Sequence, residues 1–183
     1  MDNDISSCNR CFEHIPVTIN NQKVPYTNTA KYLGMTLDAK LRWKAHVKKK
    51  RQELDLRYKK MYWLIGRNSS LSLHNKLIIY KQILKPVWTY GIQLWDCTKQ
   101  SNINIIQRFQ NKVLRHMVNA PWYIRNNDLH RDLQVDVVSR EIQRFAQKHK
   151  GRLHHHENAE VIQLLDNTCI VRRLQRKKPF ELV

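Results

Sequence analysis

Acidic residues and glycine are both scarce in this sequence, and each shortage excludes a class of function. There are only 15 Asp and Glu residues against 33 Lys and Arg, and no two aspartates are adjacent. Metal-assisted phosphoryl transfer needs carboxylates that converge on metal ions, so we expect no complete centre of that kind. The four glycines are dispersed along the chain, which excludes a glycine-rich phosphate-binding loop.

Long apolar runs are missing, and cysteine is scarce. No run approaches the roughly 18 apolar residues that span a bilayer, and the acidic residues near Met1 do not resemble a secretory signal. Four cysteines in 183 residues are too few for a disulfide scaffold. We therefore expect an intracellular chain, nuclear or cytoplasmic, that is neither secreted nor inserted in a membrane.

The strongest positive feature is an excess of positive charge. The formal net charge is +18 and the isoelectric point is near 10. Such an excess repels itself in a compact state, and a polyanionic partner offsets that repulsion. Nucleic acid is the first expectation, and an anionic membrane surface is the second. The charge is concentrated, since ten basic residues lie between Lys40 and Lys60 against two acidic ones, Glu53 and Asp55.

One sequence motif suggests a metal site. Cys8 and Cys11 are separated by two residues, and His14 follows, which gives half the spacing of a zinc clip. No second pair of matching spacing follows, so a tetrahedral site lacks its fourth ligand. The alternative is two reduced thiols in a frayed terminus. We expect no cofactor in this chain and keep a small zinc-dependent module as an alternative.

The apolar pattern predicts a short β element followed by helices. Alternation predicts β segments over 15–19, Lys23–Tyr26 and Ala30–Leu37. Asp38 is then expected to cap a helix of roughly 25 residues, which ends in the Gly66–Ser70 segment. The stripe expected to face the core has helical spacing and comprises Trp43, Val47, Leu54, Tyr58, Met61 and Ile65.

The remainder of the chain predicts four further helices. Ser72 is expected to cap the first of them, which Pro86 should kink or break, so that Tyr90–Trp95 forms a separately angled segment. Ser101 is expected to cap the next one. Two shorter helices are predicted at about Asp128–Leu133 and Val137–His149. The predicted fold class is therefore mainly α, with a small N-terminal β element.

The predicted helix after Asp38 also carries a row of cations. Lys44, Lys48 and Arg51 recur at about one helical turn, with Lys59 further along, so they are placed to meet successive phosphates. The alternative is an ordinary solvated face. A solvated face is the better explanation for any single lysine, whereas the density of the whole cluster favours phosphate binding.

Several sequence blocks, taken in order, resemble a known family. The blocks are Lys31-Tyr-Leu-Gly-Met-Thr-Leu-Asp38, Leu41-Arg-Trp-Lys-x-His46, Tyr80-Lys-Gln-Ile-Leu-Lys-Pro-Val-Trp-Thr-Tyr-Gly-Ile-Gln-Leu-Trp95, Ile106-Gln-Arg-Phe-Gln-Asn-Lys-Val-Leu-Arg115 and Ala120-Pro-Trp-Tyr123, where x is any residue. From about residue 15 to the end, the chain is similar to the C-terminal part of jockey-type non-LTR retrotransposon reverse transcriptases. The agreement of several blocks in one order makes the resemblance specific.

This resemblance implies a role in holding nucleic acid. Tyr32, Leu33 and Gly34 would fall at the primer-grip strand that closes the palm, and the following helices would form a thumb-like bundle. The partner would be the backbone of an RNA–DNA hybrid or duplex. Tyr32 would pack beneath a primer sugar, although a place in the strand core is an equal alternative. The implied division is an unmatched leader (1–14), a palm-edge β element (15–38), a helical thumb-like region (39–120), a C-terminal helical region (121–171) and a basic tail (172–183).

The resemblance also implies what this stretch does not contain. The family's fingers, and its palm with the paired aspartates that bind magnesium, lie upstream of the matching region. We therefore expect this chain alone to extend no primer, although the intact parent would use magnesium. The alternative from another class is a basic helical adaptor that docks a protein through the aromatic segment around Pro86, with Trp88, Tyr90 and Trp95.

Overall fold

The computed structural model describes residues 18–25, 27–158 and 160. Within that part of the chain the fold is mainly α, with two small strand pairs at the N-terminal side, which confirms the predicted fold class. The leader with Cys8, Cys11 and His14 and the basic tail over 172–183 lie outside the described residues. The implied division into regions stays a prediction.

The β element consists of two antiparallel hairpins. In the first, β1 (Thr18–Ile19) pairs with β2 (Gln22–Lys23). In the second, β3 (Thr29–Tyr32) pairs with β4 (Met35–Asp38). The prediction of one continuous strand over Ala30–Leu37 was therefore wrong. Leu33 and Gly34 have φ of 45° and 75° and form a two-residue turn that reverses the chain within that segment.

Eight helices follow in the described part of the chain. They are α1 (Lys44–Lys60), α2 (Tyr62–Ile65), α3 (Leu73–Ile79), α4 (Lys85–Thr89), α5 (Ile92–Trp95), α6 (Gln100–Met117), α7 (Asn126–Asp132) and α8 (Val138–His154). None of them combines the length and apolar content needed to cross a bilayer.

The first long helix differs from the prediction at both ends. It begins at Lys44, because Trp43 adopts a left-handed conformation (φ 61°) that interrupts the helix there. A break at Met61 then separates α1 from α2. The predicted apolar stripe is nevertheless confirmed, since Val47, Leu54 and the other members are buried, apart from the half-buried Met61.

Pro86 distorts its helix and does not end it. A π-helical turn over Tyr80–Leu84 joins α3 to α4, and Pro86 lies in the first turn of α4. The wider turn accommodates a residue that lacks an N–H and crowds the carbonyl of the preceding turn. The helix ends instead at Tyr90, which is extended, and Gly91, whose φ is 63°. The prediction that the segment after Pro86 is a separate element is confirmed by α5.

The predicted caps had mixed outcomes. Ser72 caps α3 by accepting a hydrogen bond from the backbone N–H of Asn75 (3.3 Å). The predicted cap at Ser101 was wrong, because α6 already begins at Gln100. The predicted last helix was too short, because α8 runs through Gly151 to His154.

The core lies between α1, the α3–α5 segment, α6 and α8. Its largest fully buried side chains are aromatic: Trp88, Trp95, Tyr80 and Phe109. Trp88 and Trp95 are only 1% and 2% exposed, so the segment around Pro86 contributes its tryptophans to the core. Of the three aromatic residues in the adaptor alternative, only Tyr90 is exposed, and this leaves little aromatic surface for a protein partner.

One buried acid should make stability depend on pH. Asp96, directly after α5, is 1% exposed. Burial raises the pKa of its carboxyl group to about 7, against a smaller opposing effect of the Cys97 backbone amide. In the unfolded chain the Asp96 carboxyl group has its ordinary pKa of about 4, so the protonated group favours the folded state. Its contribution to the free energy of unfolding is complete below about pH 4 and is lost as pH rises to about 7. We expect Asp96→Asn to remove this loss, which is at most about 1.4 kcal/mol per pH unit.

Urea unfolding of both chains across that pH range measures the effect. His46 and His116, whose pKa values are lowered by burial, also make stability depend on pH, but they do so equally in both chains. The difference between the two unfolding free energies therefore isolates Asp96. An unfolding free-energy difference that stays constant with pH would show that Asp96 titrates normally.

Candidate nucleic-acid interface

The tip of the second hairpin is exposed and rigidly held. Tyr32 and Leu33 are 65% and 69% exposed, so Tyr32 is not a core residue. The Leu33 carbonyl accepts a hydrogen bond from the Tyr90 hydroxyl (2.7 Å), which ties the tip to the end of α4. The Lys50 ammonium lies 5.4 Å from the centre of the Tyr90 ring, in a cation–π contact. Residues 57 positions apart in sequence therefore form one surface.

A buried histidine joins this hairpin to α1. The Thr36 backbone N–H donates to Nδ1 of His46 (3.2 Å), and His46 is 1% exposed. Burial, together with the smaller effect of the nearby ammonium groups of Lys50 and Lys49, lowers the pKa of His46 to about 4. The imidazole is therefore neutral at physiological pH, which leaves Nδ1 able to accept.

Asp38 shapes the corner between the hairpin and α1. Its carboxylate accepts hydrogen bonds from the backbone N–H groups of Arg42 (2.9 Å) and Trp43 (2.8 Å). These residues precede the helix, so the prediction of Asp38 as the helix cap was wrong. The carbonyl of Arg42 in turn accepts from Thr98 (3.0 Å) and Asn102 (3.3 Å). This network fixes where α1 begins and so where its lysines point.

The structure separates the four predicted cations of α1 into two groups. Lys44, Lys48 and Lys59 are exposed and form no ion pair within the described residues. At 100° per residue they lie within about 60° of one another around the helix. We call these three residues the lysine face.

Arg51 has a different role. Its guanidinium forms two hydrogen bonds with Asp55 (2.9 and 3.0 Å) and lies 4.9 Å from the centre of the Phe109 ring. The side chain is thus neutralised by its partner and packs against the core. Although the sequence groups Arg51 with Lys44 and Lys48, the structure gives it the contacts of a packing residue.

Sequence reasoning missed a second basic cluster. Arg67, Arg108 and Lys112 line one cavity together with the exposed ring of Trp122. The spacing of Arg108 and Lys112, one helical turn apart on α6, was a usable signal. Arg67 comes from a different part of the chain, and only the fold places it beside them.

The described residues contain no group of three or more His, Cys, Asp and Glu side chains that could hold a metal ion. The scattered acids have other roles, as the corner at Asp38 illustrates. The weak candidates Cys8, Cys11 and His14 lie outside this range, so the zinc alternative stays a prediction.

Comparison with known proteins identifies relatives of this chain. It is 43% identical over 168 residues to the probable RNA-directed DNA polymerase from transposon X-element of Drosophila melanogaster, a match that covers 92% of the chain and 18% of that protein. It is 35% identical over 187 residues to the RNA-directed DNA polymerase from mobile element jockey of the same species, covering 98% of the chain and 20% of the relative.

A third relative is the probable RNA-directed DNA polymerase from transposon BS of Drosophila melanogaster, with 35% identity over 88% of the chain and 18% of the relative. The chain spans about a fifth of the length of these proteins. No protein-family model and no solved structure matches it significantly.

Proposed function

Because the chain is related to a segment of the RNA-directed DNA polymerases of jockey-type mobile elements, we propose that it supplies the part of such an enzyme that holds the template–primer duplex. The segment corresponds to the C-terminal, thumb-like part of the parent. It binds the backbone of an RNA–DNA hybrid and leaves the chemistry to the parent's palm. The palm aspartates would bind the magnesium ions, and we assign no catalytic residue to this chain.

The observation that carries the proposal is the rigid connection between the lysine face and the hairpin tip. His46 and the Asp38 corner fix the start of α1 relative to β4, so exposed cations and an exposed tip are held at constant separation. Lys44 and Lys48 are about 6 Å apart along the helix axis, a spacing suited to neighbouring phosphates. Backbone contacts of this kind position a duplex without reading its sequence.

The hairpin tip would contact the end of the primer. Tyr32 presents a ring and Leu33 an apolar side chain at a turn that the Tyr90 hydroxyl holds in place. Gly34 has φ of 75°, which favours glycine, and its Cα lies close to the Tyr90 ring, since a Cβ there would be 3.6 Å from a ring carbon. The tip is therefore positioned before a ligand binds.

Replacing Tyr32 and Leu33 together with alanine tests this assignment. We expect about fivefold weaker binding, or ~1 kcal/mol, to an RNA–DNA hybrid with a recessed primer end. Binding to a long hybrid without such an end should be unchanged. The measurement is fluorescence anisotropy with both duplexes at one salt concentration. Leu94→Ala is the matched control, because Leu94 is 57% exposed on α5.

Two outcomes would contradict the proposal. If the chain binds neither hybrid, the duplex-holding role is excluded. If the tip variant weakens both hybrids equally, or if Leu94→Ala has the same effect, the tip does not sense the primer end.

A further inference from the structure

A basic cavity lies between the C-terminal half of α6 and the loop that follows it. Its volume is about 540 Å³. The lining side chains are mostly basic or amide-bearing: Arg67, Arg108, Asn111, Lys112, Arg115, His116 and Asn126, with Ala120 and Trp122. We call this cavity the α6 groove. Among the described residues, no acidic side chain lines this groove.

The charge of the groove is not neutralised by the described residues. Arg67, Arg108 and Lys112 are exposed, and none of them belongs to an ion pair in that part of the chain. Burial lowers the pKa of His116, and the neighbouring Arg67 and Lys112 lower it further. The groove therefore has a positive potential, and an anionic ligand would lower the repulsion among its cations.

The basic surface continues towards α1. A neighbouring cavity of about 440 Å³ shares Lys112 and His116 with the α6 groove and adds Lys59 of the lysine face. In the part of the chain that the structure describes, Asp55 is the one acid that lines this second cavity, and its carboxylate is paired with Arg51. A chain of phosphates could thus pass from the lysine face into the groove.

The loop at the mouth of the groove displays aromatic rings on a fixed backbone. Trp122 is 90% exposed and Tyr123 is 66% exposed, with their ring centres 6.0 Å apart in an edge-to-face arrangement. Arg115 holds the loop by donating hydrogen bonds to the Pro121 carbonyl (3.0 Å) and the Asn126 side chain (3.0 Å), and also to the Ile124 carbonyl. The exposure of Trp122 is thus not a result of a loose chain.

We propose that the α6 groove binds single-stranded nucleic acid, with a base stacked on Trp122 and phosphates contacting Arg67, Arg108 and Lys112. A cationic track beside a rigid aromatic ring is the arrangement that holds single strands without reading sequence. The site is separate from the duplex contact and rests on the same premise that the chain binds nucleic acid. It would receive the unpaired strand where it leaves the duplex at the lysine face.

An acidic peptide is the competing ligand for such a groove. It would satisfy the cations but would gain little from an exposed indole ring. A single strand uses the cations through its phosphates and the indole ring through its bases, and each stacked base contributes ~1–3 kcal/mol. The observations therefore favour a single strand.

The test uses the full chain and fluorescein-labelled oligouridine and oligothymidine of roughly 12 nucleotides, within the span of known single-strand sites. We expect Trp122→Ala to weaken binding of both by about 5- to 150-fold, which corresponds to the loss of one stacked base. Trp63→Ala is the matched control, because Trp63 is 74% exposed and lines neither cavity. Its affinity should equal that of the unmodified chain.

A second arm measures the contribution of charge. Replacing Arg108 and Lys112 together with alanine should reduce the slope of log affinity against log salt by about 1.4 for single strands, or about 0.7 per phosphate. Binding of an RNA–DNA hybrid measured in parallel should be nearly unchanged for the Trp122 variant. Single-strand binding and hybrid binding are therefore measured independently, so failure of the groove proposal is distinguishable from failure of the proposed duplex role.

Three results would overturn the inference. One is unchanged single-strand affinity of Trp122→Ala. Another is an equal loss in Trp63→Ala, which would mean that any exposed tryptophan contributes. The third is displacement of the oligonucleotide by an oligoglutamate peptide with the same potency in the unmodified and Trp122→Ala chains, which would identify the groove as a site for acidic peptides.

Discussion

Replacing Lys44 and Lys48 together with alanine is expected to lower the salt dependence of hybrid binding by about two units of log affinity per log salt. Each phosphate that a lysine neutralises releases condensed counterion, and each contact contributes about 0.9 to that slope in a B-form duplex. The loss should be similar for any duplex sequence, because the contacts are to the backbone. Stability should hardly change, since both side chains are exposed.

The control for net charge is Lys148→Ala with Lys150→Ala, two exposed positions on α8. It removes the same charge from a different surface and should leave the slope nearly unchanged. Arg51→Gln is a second control, because Arg51 is paired with Asp55 and should affect stability more than the slope. Equal slopes for the double variant and the unmodified chain would show that the lysine face is merely solvated.

Lys85→Met is expected to destabilise the fold by about 3 kcal/mol, the low end of the range for breaking a buried ion pair. The Lys85 ammonium pairs with the carboxylate of Glu141, which is 3% exposed. This ion pair links the start of α4 to α8. Without Lys85 the carboxylate remains buried, and its remaining partner is Arg144 (2.6 Å), whose side chain is 59% exposed. For a chain of this length the loss corresponds to roughly 6–12 °C in Tm.

Two further variants make the interpretation specific. Arg144→Met should cost less than about 1 kcal/mol, because the Arg144 side chain is 59% exposed and the Glu141 carboxylate keeps Lys85 as a partner. Lys85→Met combined with Glu141→Leu should recover much of the stability, since neither partner of this buried ion pair is left without the other. Thermal and urea unfolding measure all three. If the double variant is less stable than Lys85→Met alone, the cost arises from packing and not from an unpaired carboxylate.

Two features that depend on sequence neighbours were predicted correctly. The stripe of α1 and the capping of α3 by Ser72 follow from helical period and local hydrogen bonding, and both are confirmed. The start of α1 was not predicted, because the left-handed conformation of Trp43 accompanies a hydrogen bond that its backbone N–H donates to the Asp38 carboxylate. No propensity scale contains that contact.

The reversal of the chain within residues 30–37 was also missed, for a physical reason. Its turn residues are Leu33 and Gly34, not the Asn-Gly or Asp-Gly pairs that signal such turns. Leu33 adopts positive φ, which is unfavourable for a non-glycine residue, and the bond from Tyr90 to its carbonyl helps to hold it there. That bond joins residues far apart in sequence.

The sequence by itself determined the mainly α class, the order of most elements, the basic character and the resemblance to jockey-type polymerases. These depend on composition, on the 3.6-residue period and on blocks of neighbouring residues, all of which are local. Only the tertiary structure decided which cations remain available to bind an anionic ligand. It pairs Arg51 with Asp55 and stacks it on Phe109, whereas it gathers Arg67, Arg108 and Trp122 from separate segments around one groove. Whether a charge is neutralised or exposed depends on its neighbours in space, and those neighbours are set by the packing of helices distant in sequence.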